Sequence, residues 1–325
     1  MIVGCGKIAG IDSSANNSTH AGALKVEPRI KLVGVVDCDY KKALRFADQY
    51  KCNAFEDLKF ALDEISPDLV SICTPDPTHF EVAKTILLAS KPPRIIFLEK
   101  PACFFEKEYK ELVKLATDKS VMVIVNHSRR FNPKYLALRN LILSGSLGML
   151  ARVNATYYSG WFHNGTHIID TLTYLLDDRM DWCRLDDVIV SPYLGDETLE
   201  LTGRLIKSDA KVVISAVDEA LYQIFEFDFW FQKGRIRIED FGSCVTLEKK
   251  IINQLGESVL QEVEINLPIA ERSEIQIAMG LICDSFEGKD PQNLKCLTVE
   301  AILPTMSSLW QGRDIFLNKR DANES

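Results

Sequence analysis

Four short runs in the first 125 residues, Leu32–Val36, Leu69–Cys73, Arg94–Leu98 and Val121–Val125, are apolar almost throughout rather than at every second position. A strand with apolar side chains on both faces must be covered on both, which is the condition of a parallel sheet between layers of helices. The intervening segments supply those helices. Ala43, Phe46, Ala47 and Tyr50 recur at helical spacing, as do Tyr109, Leu112, Val113 and Ala116. Thr78-His79-Phe80-Glu81 has the form of a capping box that opens a helix through Ala89. With the stub Met1–Val3 as first strand, shorter than the usual ~five residues, the alternation predicts a doubly wound α/β domain. Its ligands would bind beyond the C-terminal ends of the strands.

From about residue 148 the rhythm changes. Phe225, Phe227, Phe229 and Phe231 alternate with Glu226, Asp228 and Trp230, and Lys233-Gly234 turns into Arg235–Glu239. That is an antiparallel hairpin, joined by strands near Arg152–Tyr158, Asp187–Val190, Leu199–Leu205 and Lys211–Val217. Helices are predicted at Thr166–Leu176, Glu274–Phe286 and Thr298–Gly312, and disorder at Lys319–Ser325. The organisation is therefore a doubly wound, Rossmann-type domain over 1–126 and, over 127–325, an α+β domain with a large, mostly antiparallel sheet.

A chain of 325 residues is long for one core, which agrees with two domains. Its net charge of −8 argues against nucleic acid and anionic membranes as partners. No apolar stretch approaches ~18 residues, so no membrane helix is predicted. The start lacks the pattern of a signal peptide, so a cytoplasmic protein is expected. The nine cysteines are scattered without a C-x-x-C pair and read as reduced, mostly buried thiols.

The residues that carry chemistry lie in three places. Gly4-x-Gly6-x-x-Ala9 follows the first strand: Gly4 permits a tight turn, Gly6 lets the backbone reach a pyrophosphate, and Ala9 is small enough for helix–strand packing. Asp37, ending the next strand, can hold ribose hydroxyls and repel a 2′-phosphate. The polar stretch Ile11–Thr19 reads as a loop inserted before the helix, and Lys41 and Lys42 keep NADP open beside NAD. Cys73-Thr74-Pro75 ends a buried strand at the edge where a cofactor would lie. Glu99-Lys100-Pro101 ends another, with an ammonium able to stabilise an alkoxide as hydride leaves. His167 and Asp170 sit three apart at the start of a helix, so the aspartate can fix the imidazole tautomer. His163 lies four residues earlier; two imidazoles and a carboxylate are also zinc-ligand types, but Asn164-Gly165 is expected to interrupt any helix between them, and no metal is assigned.

Together these residues resemble the Gfo/Idh/MocA family, the glucose–fructose oxidoreductase and inositol dehydrogenase group. The resemblance extends over nearly the whole chain. It rests on the glycine loop, Val36-Asp37, Thr74-Pro75 with His79, Glu99-Lys100-Pro101, Asn126 with Arg129-Arg130-Phe131-Asn132-Pro133, Gly165-x-His167-x-x-Asp170, and Gly234 before Ile236–Glu239. It implies that Lys100 is the catalytic lysine and His167 the substrate-binding or acid–base histidine. It also implies a dinucleotide lined by Gly4, Gly6, Ala9, Asp37, Thr74, Pro75, His79 and Glu99, to which Lys7, Ile8, Cys73 and Lys100 are added. The departure is His163, where members with a Lys–Asp–His set usually carry an aspartate. Either His163 takes that role, or His167 is the base with Lys100, or the substrate is a specialised one, or catalysis has been lost.

The function expected is hydride transfer between NAD(P) and a secondary alcohol or ketone of a sugar, with Lys100, Arg129, Tyr158, Trp161, His163, His167 and Asp170 around the substrate. Arg129-Arg130 would suit a nucleotide-linked or acidic sugar. The alternatives are a non-catalytic dinucleotide-binding regulator and an internal redox cycle of sugar–sugar hydride exchange or epimerisation. A homodimer or homotetramer through the C-terminal sheet is expected.

Overall fold

The computed structural model describes residues 1–12, 17–289 and 292–324. The chain forms two compact units, Met1–Asn132 with Ala270–Leu303, and Pro133–Ile269 with Pro304–Ser325.

The first unit alternates β1 (Ile2–Val3), α1 (His20–Val26), β2 (Gly34–Val36), α2 (Tyr40–Tyr50), β3 (Asn53–Phe55), α3 (Leu58–Ile65), β4 (Leu69–Ile72), α4 (His79–Leu87), β5 (Ile95–Leu98), α5 (Glu106–Lys119) and β6 (Met122–Val125). The strands form one parallel sheet in the order β3-β2-β1-β4-β5-β6, and the order reverses between β1 and β4. A crevice for ligands opens at such a reversal, beyond the C-terminal strand ends. β1, β2, β4 and β5 are buried at every residue, as their unbroken apolar character requires. β3 was not legible: three residues at the sheet edge, none fully buried, leave no apolar run. Side-chain caps set the helix starts, with Thr19 accepting from the Gly22 amide, Asp39 from Lys41 and Lys42, and Asp57 from Phe60. The expected capping box at Thr78 does not form. Its backbone is already helical, and its hydroxyl donates to Thr74 Oγ1 (2.8 Å) and Pro75 O (2.7 Å).

In the second unit come α6 (Pro133–Leu143), β7 (Leu150–Tyr158), α7 (Thr166–Leu176), β8 (Met180–Ile189), β9 (Thr198–Leu205), β10 (Lys211–Val217), β11 (Glu226–Phe231), β12 (Gly234–Glu239), β13 (Cys244–Ile252) and β14 (Ser258–Val263). The sheet runs β14-β13-β12-β11-β7-β10-β9-β8, antiparallel except where β10 pairs with β7. One face carries buried Val153, Ala155, Phe227, Phe229, Ile236 and Ile238. The other is polar, with Arg235 bridging Asp228 and Trp230 lying between Arg152 and Arg235. β8 is longer than the expected Asp187–Val190 because register shifts at Trp182/Arg184 and Leu185/Asp187 scramble its alternation.

Three further helices follow: α8 (Glu274–Phe286), α9 (Gln292–Lys295) and α10 (Leu303–Glu324). The expected single boundary at 126/127 is corrected here. α8 places Ile275, Ala278, Met279 and Ile282 in the core of the first unit with Ala21, Leu24 and Phe97. Residues 297–299 then bond along β6, Val125 N to Leu297 O (2.9 Å) and Val299 N to Val123 O (2.8 Å), covering what would be a sheet edge. The helix expected at Thr298–Gly312 therefore begins only at Leu303, where Pro304 suits a first turn. It continues through Glu324, so residues 319–324 are helical and not disordered, and Lys319 Nζ donates to Leu185 O (3.2 Å). Ser325 lies outside the described residues. None of the nine cysteines forms a disulfide among the described residues; Cys5, Cys73, Cys103 and Cys283 are buried, whereas Cys38, Cys183 and Cys244 are exposed. Among the described residues no helix is long and apolar enough to cross a membrane.

Candidate functional site

In the first unit, the glycine loop leaves β1 with the Gly4 amide on Val36 O (2.8 Å) and φ of +89°. A Cβ on Gly4 would lie 2.7 Å from the Cys73 carbonyl carbon and oxygen, so the turn excludes any side chain. At Gly6 the nearest atom to such a Cβ is 4.0 Å away, leaving that flank open. Among the described residues, the amides of Gly6, Lys7, Ile8 and Ala9 donate to no protein acceptor. Ala9 is fully buried, and Tyr50 Oη closes the loop on Gly10 O (2.8 Å). A crowded glycine, an open one and a row of uncommitted amides fit a pyrophosphate. Residues 13–16 of the expected inserted loop lie outside the described residues, and the helix after it begins at His20.

Asp37 ends β2 in a more constrained state than its expected ribose role suggests. Its carboxylate accepts from the Cys5 amide (2.8 Å) and the Asp39 amide (3.0 Å), with Lys42 Nζ at 3.5 Å. It thus grips the glycine loop and keeps acceptor capacity for a hydroxyl. Thr74 is half-buried and Pro75 exposed beyond β4, whereas Cys73 is buried and its thiol is pushed well up by desolvation, with Glu99 nearby adding to the shift. His79 is fully buried between Pro101 O (2.7 Å) and Thr74 O (2.9 Å), so its ring ties the β4 turn to the β5 turn.

Beyond β5, Glu99 and Lys100 diverge. Glu99 is buried and accepts at one oxygen from His20 Nε2 (2.8 Å) and Asn126 Nδ2 (2.7 Å). Burial alone would raise its pKa, but hydrogen bonding to His20 and Asn126 and the Lys100 charge outweigh it, and the net direction is down. Lys100, half-buried, follows from this anchored residue, and the Lys100–Pro101 peptide is cis. Arg129 is half-buried; its neighbour Arg130 is buried and donates to Cys296 O (2.7 Å), a structural role.

In the second unit the chain leaves β7 through Ser159 and Gly160, both left-handed, into a wide helical turn over Gly160–Gly165 that runs on into α7. The expected interruption at Asn164-Gly165 is absent. Gly165 stays in the winding because a Cβ there would press on Trp161 (3.0 Å) and Tyr157 (3.1 Å). Asp196, from the loop before β9, caps this turn with bonds from the Phe162 and His163 amides, both 2.8 Å. The His163 ring stacks on Tyr193 at 3.8 Å between centroids. Trp161 is buried, donates to Leu309 O (2.8 Å) and packs on Trp182, so its ring belongs to the core and not to a substrate. His167 is half-buried and meets Phe225 edge-on at 6.2 Å. Asp170 is buried, accepting from Thr305 Oγ1 (3.0 Å). Tyr158 is half-buried beside Phe241 (6.3 Å). No cluster of three metal-ligating side chains occurs among the described residues.

The first unit thus gathers the glycine loop, Asp37, Thr74, Glu99 and Lys100 at the C-terminal strand ends, and the second gathers His163, His167 and Tyr158 beyond β7. Four contributors were not read from the sequence: the roles of His20 and Asp196, and the rings of Tyr193 and Phe241. His20 lay in sight, since it follows the glycine loop; Asp196 had no local signal.

Residues 1–127 match the model of an oxidoreductase family, NAD-binding Rossmann fold, of Gfo/Idh/MocA type. The chain is 30% identical over 139 residues to an inositol 2-dehydrogenase of Rhizobium meliloti, a match that takes in 42% of this chain and 40% of that relative's length. In structure it is similar to UDP-N-acetylglucosamine 3-dehydrogenase from Acidithiobacillus ferrooxidans, with a TM-score of 0.73, 17% identity, and coverage of 97% of this chain and 96% of the other. It is equally similar to a super-repressor mutant of Gal80p from Saccharomyces cerevisiae, with a TM-score of 0.72, 15% identity, and coverage of 99% and 95%. At such identities the likeness is one of fold, shared by a dehydrogenase and a repressor alike. Over residues 1–127, then, the chain matches the NAD-binding Rossmann domain of the Gfo/Idh/MocA oxidoreductase family.

Proposed function

We propose that the protein is an NAD(P)-dependent oxidoreductase acting on a secondary alcohol, or the corresponding ketone, of a cyclic polyol or sugar. The observation that carries this reading is Lys100, set beyond β5 next to a buried, anchored Glu99 in the unit that holds the glycine loop. The glycine loop and Asp37 would hold the dinucleotide, which would supply the hydride acceptor or donor for the carbinol or ketone carbon. Lys100 donates to the substrate oxygen and stabilises the developing alkoxide, while His167 takes the hydroxyl proton. Glu99 stays ionised and holds the residue before Lys100 in place through His20 and Asn126. Tyr158, His163, Asp170 and Arg129 complete the candidate substrate contacts, with Asp170 setting the orientation of His167. The preferred dinucleotide is NAD, because the Asp37 carboxylate disfavours a 2′-phosphate. The substrates named for the relatives, inositol and UDP-N-acetylglucosamine, define the class to try first. Association through the polar face of the second unit's sheet is part of the same reading.

The test is a fluorescence titration with NADH and NADPH, followed by an absorbance screen at 340 nm against myo-inositol, pyranosides and nucleotide sugars. NADH binding tighter than NADPH, with turnover of at least one ring alcohol, is the expected result. Tight binding without turnover favours a regulator, the role printed for the repressor of the same fold. Cofactor that co-purifies and never exchanges favours an internal redox cycle.

A further inference from the structure

The corner between β12 and β13 carries three successive left-handed residues, Asp240, Phe241 and Gly242, with φ of +48°, +53° and +93°. Gly242 needs its missing side chain, because a Cβ there would lie 2.4 Å from Tyr135 Oη. Phe241 has no such licence, since L-residues with a Cβ avoid this region and Asn or Gly would occupy it at less cost. Core packing does not account for the residue either, because Phe241 is 47% exposed. The corner is nevertheless well held, by Lys134 Nζ on Gly242 O (2.8 Å) and by the Ser243 amide on Asp240 O (2.9 Å). What that conformation achieves is presentation of a ring. Phe241 lies nearly parallel to Phe225 (16°, 6.4 Å) and edge-on to Tyr158 (77°, 6.3 Å), and Phe225 in turn meets His167.

We infer that Phe241 is a specificity-determining residue: with Tyr158 it forms an aromatic wall that takes the C–H face of a sugar or cyclitol ring whose hydroxyl is served by His167. This deepens the reading given above and rests on it for the substrate class. The negative face of an aromatic ring attracts polarised C–H groups, and a pyranose or cyclitol presents a row of them on one face while its hydroxyls point outward. Strain held at an exposed side chain, one ring removed from His167 through Phe225, is the pattern of a functional constraint.

The experiment compares wild type, Phe241→Asn and Phe241→Trp in the full chain with NADH present. Binding of myo-inositol, methyl β-glucopyranoside and UDP-N-acetylglucosamine is read by saturation-transfer NMR, and stability by thermal melting. The expected result is that wild type binds at least one of these through its ring C–H protons. Phe241→Asn should then weaken that binding by tenfold or more while leaving Tm unchanged or higher, and Phe241→Trp should keep binding within about threefold. Unchanged binding in Phe241→Asn, a lowered Tm in it, saturation confined to the uridine, or no binding of any probe by wild type would each overturn the inference. Hydride transfer is followed separately at 340 nm. Ring binding that depends on Phe241 without turnover would retire only the oxidoreductase reading, whereas turnover with KM unchanged in Phe241→Asn would retire only this one.

Discussion

His20 and His167 both stand in the first turn of a helix, and the structure treats them in opposite ways. His20 is fully buried, bonded to Glu99, with Asn126 on the same carboxylate oxygen. His167 is half-buried among rings, next to backbone that is left-handed at Ser159 and Gly160 and again at 240–242. The difference separates two tasks. Around His20 buried hydrogen bonds to Glu99 anchor the β5 end, which suits a cofactor whose shape never changes. Around His167 the surroundings are aromatic and strained, which suits recognition of one particular ring.

The sharpest break of the comparison is Lys100→Met. Turnover of a confirmed substrate should fall on the order of 10³-fold while NADH affinity stays within a few-fold, as steady-state kinetics beside a fluorescence titration would show. Turnover near wild type would remove Lys100 from the chemistry. Next comes Gly4→Ala, whose Cβ meets the Cys73 carbonyl at 2.7 Å. It should cost about 3 kcal/mol or more and abolish NADH binding. Gly195→Ala, also left-handed but with nothing within 4 Å, should cost only about 1 kcal/mol in urea melts of both variants and leave NADH binding intact in the fluorescence titration.

Asp196→Ala tests the second region. Losing two bonds from the backbone amides of Phe162 and His163 should destabilise by about 2–3 kcal/mol. It should raise KM for substrate more than Kd for NADH, because the turn it caps carries His163. Equal losses in both would show that the regions are not separable. The smallest effect concerns pH. Glu99 has a folded pKa below the ordinary value of about 4.5. It therefore contributes stability that is fully present above that value and is lost as pH falls through the lower, folded pKa. Glu99→Gln should be less stable than wild type by about 1–2 kcal/mol at pH 7, with the gap narrowing below about pH 4.5 in melts taken from pH 7 to 3. A gap independent of pH would mean that His20 does not stabilise the ionised carboxylate.

Which parts were legible follows from the range of the interactions. The glycine loop, the buried strands and α7 announce themselves through neighbours a few residues away. The role of His79 did not: its position by the β4 end suggested a cofactor contact, and only the carbonyls of Thr74 and Pro101 show that it binds the fold together. Trp161 was expected around the substrate, and its burial depends on Leu309 and Trp182. α10 was misplaced because residues 297–299 have apolar character compatible with helix, yet are drawn out along β6.

By itself, then, the order of residues determined a doubly wound parallel sheet, a dinucleotide loop on β1 and a second domain of antiparallel strands, since periodicity and glycine spacing are local properties of the chain. Only the tertiary structure decided that residues 270–303 complete the first unit, that Asp196 caps the turn bearing His163, and that Phe241 stands exposed beside the rings near His167. Those outcomes rest on contacts between residues tens to hundreds of positions apart, and on left-handed backbone at residues whose side chains argue against it. Packing of the whole chain selects such arrangements, and no local pattern encodes them.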